Sequence, residues 1–151
     1  MAIDVLTQIT IDRPIADVAA YASDPDNASE WYVNIKSVEW KTEKLIQLGS
    51  QVSFVAEFLG KRLAYTYELV EFVPENRLVM RTAEGPFPME TTYTWQAVDD
   101  GRTVMTLRNR GEPTGFSKLF APLMGRAMEQ TNRKDLALLK EILERDERTS
   151  R

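Results

Sequence analysis

The side chains able to move protons or hold a ligand in this sequence are carboxylates, tyrosines, lysines and arginines, because it contains no histidine and no cysteine. The missing histidine removes the commonest general base, the commonest transition-metal ligand and every Ser-His-Asp or Cys-His arrangement. The missing cysteine removes thiolate chemistry and disulfides. Asp24, Asp26 and Glu30 crowd one short stretch and could act as an acidic pair, although Asp24 before Pro25 is also a complete helix cap. Glu57 and Glu90 fall on strand positions whose pattern points outward to solvent. Arg108 and Arg110 would meet an anionic ligand only if the strand register slipped by one, which exchanges the two faces. Thr131 and Asn132, in mid-helix, are the strongest candidates for polar contacts to a ligand, or else mark the boundary between apolar and solvated faces. No convergent acid–base pair and no metal-ligand set stands out. No catalytic residue, metal or cofactor is therefore assigned.

The elements that must position these residues follow from periodicity. Ile3 to Ile11 reads as a first strand. Ile15, Val18, Ala19 and Ala22 fall at helical spacing behind Pro14, predicting a short helix that ends near Ser23. Asp24-Pro25 starts a second brief helix that leads to Glu30-Trp31-Tyr32. Strands are predicted at Ile35–Lys44, Gln51–Leu59, Arg62–Val73, Arg77–Thr82, Met89–Val98 and Thr103–Arg110. Gly60-Lys61 and Asp99-Asp100-Gly101 mark hairpins, and the two prolines around Phe87 forbid regular pairing. Phe116 to Arg148 reads as one long amphipathic helix, which Pro122 either kinks or truly begins. Its apolar stripe runs through Leu123, Ala127, Gln130/Thr131, Leu138 and Ile142, widened by Met124, Met128, Leu139 and Leu143. Glu141/Arg145 and Glu144/Arg148 are i,i+4 pairs in the favourable orientation. The order of elements argues for an α+β fold, a curved antiparallel sheet of about seven strands wrapped around the last helix.

Composition bounds the partners. A length of 151 residues with 43% hydrophobic residues suits one domain spanning 1–151. A net charge of −4 and a pI near 5.0 give no general attraction to nucleic acid or anionic membranes. No apolar run approaches membrane-spanning length, and MAIDVLTQIT lacks the basic and apolar regions of a signal peptide. The expectation is a cytoplasmic monomer or homodimer that contacts no nucleic acid.

Four stretches, in this order, resemble the SRPBCC superfamily, also called START-like or birch-pollen-allergen-like, and most nearly its bacterial polyketide cyclase/dehydrase and lipid-transport branch. The first is Ile11-x-x-Pro14 with Val18, Asp24-Pro25 and Glu30-Trp31. Tyr67 to Pro74 followed by Arg77-Leu78 is the second, and Asp100-Gly101-Arg102-Thr103 the third. Leu119 to Leu123, followed by Leu136, Leu139-Lys140 and Leu143-Glu144, is the fourth. Together they cover nearly the whole chain. The resemblance implies the helix-grip fold and a cavity between sheet and helix that holds a hydrophobic small molecule. It does not imply one reaction, because members include carriers, receptors, cyclases and chaperone-activating domains.

If the sheet grips the helix, alternation turns Phe54, Tyr65, Tyr67, Tyr93, Trp95, Met105 and Leu107 inward. The helix adds Phe120, Leu123, Met124, Ala127, Met128 and Thr131. These residues either fill a core or line a pocket. Trp31 either covers a pocket mouth or anchors the short helices to the sheet, and Phe87 is either an entrance residue or a packed loop tip. The first functional expectation is binding or transport of a lipid, quinone or polyketide-like molecule. The alternatives are a polyketide aromatase/cyclase or dehydratase, and a protein-interaction module that regulates a partner.

Overall fold

Alternating apolar residues build seven strands: β1 (Ile3–Ile11), β2 (Ile35–Trp40), β3 (Gln51–Phe58), β4 (Lys61–Val73), β5 (Arg77–Glu84), β6 (Met89–Asp99) and β7 (Arg102–Gly111). The structure, a computed structural model, describes residues 3–113 and 119–149, with side chains up to residue 145. All pairings are antiparallel, in the order β1-β7-β6-β5-β4-β3-β2. Six strands thus form a meander, and β1 returns to pair with β7. Register shifts between Ile35 and Ser37, Leu69 and Glu71, and Ala97 and Asp99 bend the strands. Such bulges increase local twist and curl the sheet.

Helix α1 (Ile15–Ser23), a 3-10 turn (Pro25–Asn27) and helix α2 (Ala28–Trp31) join β1 to β2. Asp24 caps as its type and position suggest, accepting from the backbone N–H of Asp26 at 2.9 Å. The hairpin between β3 and β4 turns on Leu59 and Gly60, with φ of 52° and 77°. Two successive residues in the left-handed region make the tight turn that matches strand twist. The turn therefore lies one residue earlier than Gly60-Lys61. β2 also stops at Trp40 rather than Lys44.

The last helix, α3 (Ala121–Thr149), begins with Pro122 in its first turn, where its missing N–H costs nothing. The expected start at Phe116 lies outside the described residues. Leu136, Leu139 and Leu143 pack with Trp31, Trp95, Met105, Leu107 and Val18 in the main core. The other end of α3 rests on β1 through Ala121 against Ile3 and Val5. Three contacts with backbone groups pin the C-terminal half. Arg13 Nη1 donates to the Leu143 carbonyl at 2.5 Å, the Asp12 N–H to Glu144 Oε2 at 3.0 Å, and Lys140 Nζ to the Thr10 carbonyl at 3.0 Å. Glu144 also pairs with Lys140, one turn back on the helix.

The buried stripe of α3 differs from the expected one. Met124, Met128, Asn132, Asp135, Leu139 and Leu143 face inward, while Leu123 is 60% exposed. Gauging the stripe from apolar residues alone puts its centre about one position off, since two of its inward members are polar.

Trp31 is an anchor. Only 1% of it is exposed, and its ring lies 4.1 Å from Tyr32 and 5.8 Å from Tyr93. Trp31→Ala is expected to cost about 3–5 kcal/mol in urea unfolding. Trp31→Phe should cost much less, because the indole N–H makes no hydrogen bond among the described residues; equal losses would refute the packing argument.

Candidate functional site

The core does not fill the space between the sheet and the first half of α3. A cavity of about 170 Å³ remains there. Period-2 alternation supplies its sheet wall: Val52, Phe54 and Ala56 from β3, Tyr65 and Tyr67 from β4, Met80 from β5, and Thr91 and Tyr93 from β6. Met124, Met128, Thr131, Asn132 and Asp135 of α3 form the opposite wall. Phe54 and Tyr65 are cross-strand partners with rings 5.7 Å apart, and Tyr67 stands edge-on to Tyr65 at 5.1 Å. Such packing fixes large rings without closing the space they border.

Most polar groups on the sheet wall are satisfied. Tyr32 and Tyr93 share a hydrogen bond, with their hydroxyls 2.5 Å apart. Thr91 Oγ1 joins Asn109 Oδ1 at 2.7 Å to the Tyr67 hydroxyl at 3.0 Å. Burial pushes the Tyr67 phenol up to about 12. It drives those of Tyr32, Tyr65 and Tyr93 above the ordinary tyrosine value as well, so all four stay neutral. Tyr65 differs in that its hydroxyl makes no hydrogen bond among the described residues.

The helix wall carries unsatisfied groups. Asn132 is 3% exposed and its buried Nδ2 has no partner among the described residues. Asp135 is 1% exposed, and among the described residues it receives one hydrogen bond, from the Val33 N–H to Oδ1 at 2.9 Å. Desolvation raises its carboxyl to about 7, against a smaller opposing effect of that bond. In a chain without histidine, this places a proton-exchanging side chain near neutrality inside the cavity.

A second, polar depression of about 640 Å³ lies between α3 and the β3–β4 hairpin, lined by Glu57, Lys61, Arg62, Ala127, Gln130 and Lys134. It shares Asn34, Phe58 and Thr131 with the apolar cavity. The cavity and the depression therefore adjoin on the helix–hairpin side.

Of the ligand-contact residues expected from sequence, the structure brings Phe54, Tyr65, Tyr67, Tyr93, Met124, Met128 and Thr131 together on the cavity wall. It does not bring the others there. Trp31, Trp95 and Met105 are packed into the core between sheet and helices. Phe120 and Leu123 are exposed at the start of α3, and Ala127 faces the polar depression. Phe87 does border the cavity. Arg108 pairs with Asp4 at 2.7 Å and Arg110 with Glu90 at 3.6 Å, so neither slips inward. Asp26 accepts from the Trp40 indole, and Glu30 from the Tyr21 hydroxyl. No group able to hold a metal occurs among the described residues.

Sequence reasoning misses Asp135. A signal for it exists: it stands seven residues after Met128 and four before Leu139, in phase with the inward stripe.

The Asp135 carboxyl makes a signed prediction. Its folded value lies above the unfolded 3.8, so the folded state holds the extra proton between about pH 4 and 7 and stability falls as pH rises through that window. Asp135→Asn keeps an acceptor for Val33 and removes the charge. Its stability gain over the parent should be small at pH 4 and grow to at most about 4 kcal/mol above pH 7, at about 1.4 kcal/mol per pH unit. Thermal unfolding from pH 4 to 8.5 measures this, and a difference that does not change with pH would refute it.

Residues 2–144 match the family model described as polyketide cyclase/dehydrase and lipid transport. No curated protein matches the sequence. Among solved structures, a protein from Thermus thermophilus is 23% identical, with a TM-score of 0.80 over 93% of this chain and 96% of that one. The Zhui aromatase/cyclase from a Streptomyces species is 19% identical, with a TM-score of 0.78 over 94% and 93%. A START superfamily protein from Mycobacterium smegmatis is 13% identical, with a TM-score of 0.78 over 94% and 97%. At such identities these likenesses speak for the fold. With its seven-stranded sheet curled around a terminal helix and a family match over nearly its whole length, the chain belongs to the polyketide cyclase/dehydrase and lipid-transport family of the SRPBCC superfamily.

Proposed function

We propose that this protein binds a hydrophobic small molecule, polyketide-, quinone- or lipid-like, in the cavity between sheet and α3. One observation carries the reading: apolar and aromatic walls enclose a space that the chain's own side chains leave empty. Family membership and the START-like fold support it. Met124 and Met128 adapt to varied apolar shapes, and the depression at the hairpin gives a ligand a way in. An unfilled cavity also weighs against a module that acts only through its surface. No helix among the described residues is long and apolar enough to cross a membrane. We take the protein to work in the cytoplasm, as a monomer or homodimer.

A second reading, cyclisation or dehydration of a polyketide-like chain, draws support from Asp135, a carboxyl near neutrality that can give or take a proton inside an apolar enclosure. The aromatase/cyclase among the structural neighbours makes the substrate class worth assaying.

Native against denaturing mass spectrometry of freshly purified protein tests the binding reading. An apolar mass lost on denaturation is expected, together with saturable quenching of tryptophan fluorescence by at least one of fatty acids, quinones or aromatic polyketides. Met128→Trp fills the cavity and should abolish both signals while the fold persists. Absence of both a retained mass and saturable quenching would refute the reading.

A further inference from the structure

Asn132 and Asp135 stand three residues apart on one face of α3, both almost fully buried and both on the cavity wall. Side chains at this spacing lie about 5–6 Å apart at Cβ. Among the described residues, Asn132 Nδ2 has no hydrogen-bond partner, and Asp135 meets only the Val33 N–H. The titratable groups that face Asp135 are Tyr65 and Tyr93 from the sheet and Tyr32 from the end of α2, all neutral, and no cation pairs with it among the described residues. A buried donor or acceptor left unpaired destabilises the fold. Leucine at these two positions would continue the stripe of Leu136, Leu139 and Leu143 without that cost. Two such groups on the wall of an otherwise apolar cavity are matched to something that enters it.

We propose that Asn132 and Asp135 form the polar subsite of the cavity and select a neutral ligand that carries a carbonyl and a hydroxyl on adjacent or 1,3-related carbons. Asn132 Nδ2 donates to the carbonyl oxygen, and the Asp135 carboxyl shares a hydrogen bond with the hydroxyl. The two ligand oxygens, about 2.5–3.0 Å apart when hydrogen-bonded to each other, fit between side chains at this spacing. A carboxylate ligand would bring a desolvated negative charge into a cavity whose described lining carries no Lys or Arg to pair with it. An ammonium ligand would satisfy Asp135 but leave the Asn132 donor facing another donor. The hydroxy-carbonyl pair answers both. This inference rests on the cavity-binding reading.

Calorimetric titration with four probes of similar apolar body tests it: 2-acetyl-1-naphthol, 2-acetylnaphthalene, 1-naphthoate and 1-naphthylmethylammonium. The hydroxy-ketone is expected to bind about tenfold or more tighter than each of the others. Asp135→Leu should remove the advantage over 2-acetylnaphthalene while leaving that ketone within about twofold of its parent affinity, and Asn132→Leu should weaken both ketones by a similar factor. Asn132→Ala and Asp135→Ala, which also remove the polar groups, serve in place of a leucine variant that does not fold. Equal affinities for the hydroxy-ketone and 2-acetylnaphthalene, tightest binding of the ammonium probe, or variants that bind as the parent does would overturn the subsite and leave the cavity reading intact. Failure of all four probes to bind would overturn the subsite, whereas the cavity reading stands or falls on the retained mass and on fatty-acid and quinone quenching.

Discussion

One helix cannot cover a seven-stranded sheet. Strands spaced about 4.8 Å apart make such a sheet nearly 30 Å wide, whereas an α-helix with side chains is about 10–12 Å across. Curling narrows the gap but does not remove it. α3 therefore lies over β1 and β7, where Ala121 meets Ile3 and Val5 and the leucines of its second half meet Met105 and Leu107. The short helices α1 and α2 cover part of what remains, and Trp31 wedges them against Tyr93. The concave face of β3, β4 and β5 is left facing the first half of α3 across empty space. The cavity is the geometric remainder of this mismatch, kept open because both ends of the helix are held elsewhere.

How the helix is held explains why the space persists. The C-terminal half is tied to the end of β1 and the start of α1 through Arg13, Asp12 and Lys140, each reaching a backbone or carboxylate partner across the fold. The Val33 N–H, just before β2, is tied to Asp135. That bond has a double effect. It fixes the distance between the β2 edge and α3, and it keeps a carboxyl in a place where ionisation is disfavoured. Hydrophobic collapse of the helix onto Phe54 and Tyr65 would have to break it.

The sheet is the more legible half. Alternation is a strict period of two, so one well-placed hairpin fixes which residues face inward, and Phe54, Tyr65, Tyr67 and Tyr93 fall on the cavity wall from that rule alone. Alternation does not say what lies opposite. Trp95 and Met105 share the inward face with Tyr93 but lie under the helices, where the space is filled. The helix misleads for a different reason. Reading its stripe from apolar residues gives weight to Leu123 and Ala127, which are exposed or border the open side, and none to Asp135. A polar residue inside a cavity looks, in sequence, like a solvated one. Thr131 and Asn132 stand out because they interrupt the run of charged and apolar residues; Asp135 does not, because an aspartate beside Lys134 reads as ordinary surface.

The two walls differ in what they leave for a ligand to do. On the sheet side, Tyr93 with Tyr32 from the end of α2, and Tyr67 with Thr91 and Asn109, consume one another's hydrogen-bonding capacity and hold a rigid, mostly apolar surface. On the helix, Asn132 and Asp135 have capacity left over. Networks closed among protein groups specify the fold, whereas open ones specify what binds. Shape selection thus belongs to the sheet and chemical selection to the helix. Substitution at the inward positions of α3 can change the ligand without changing the grip, so long as Leu136, Leu139 and Leu143 continue to fix the helix in place.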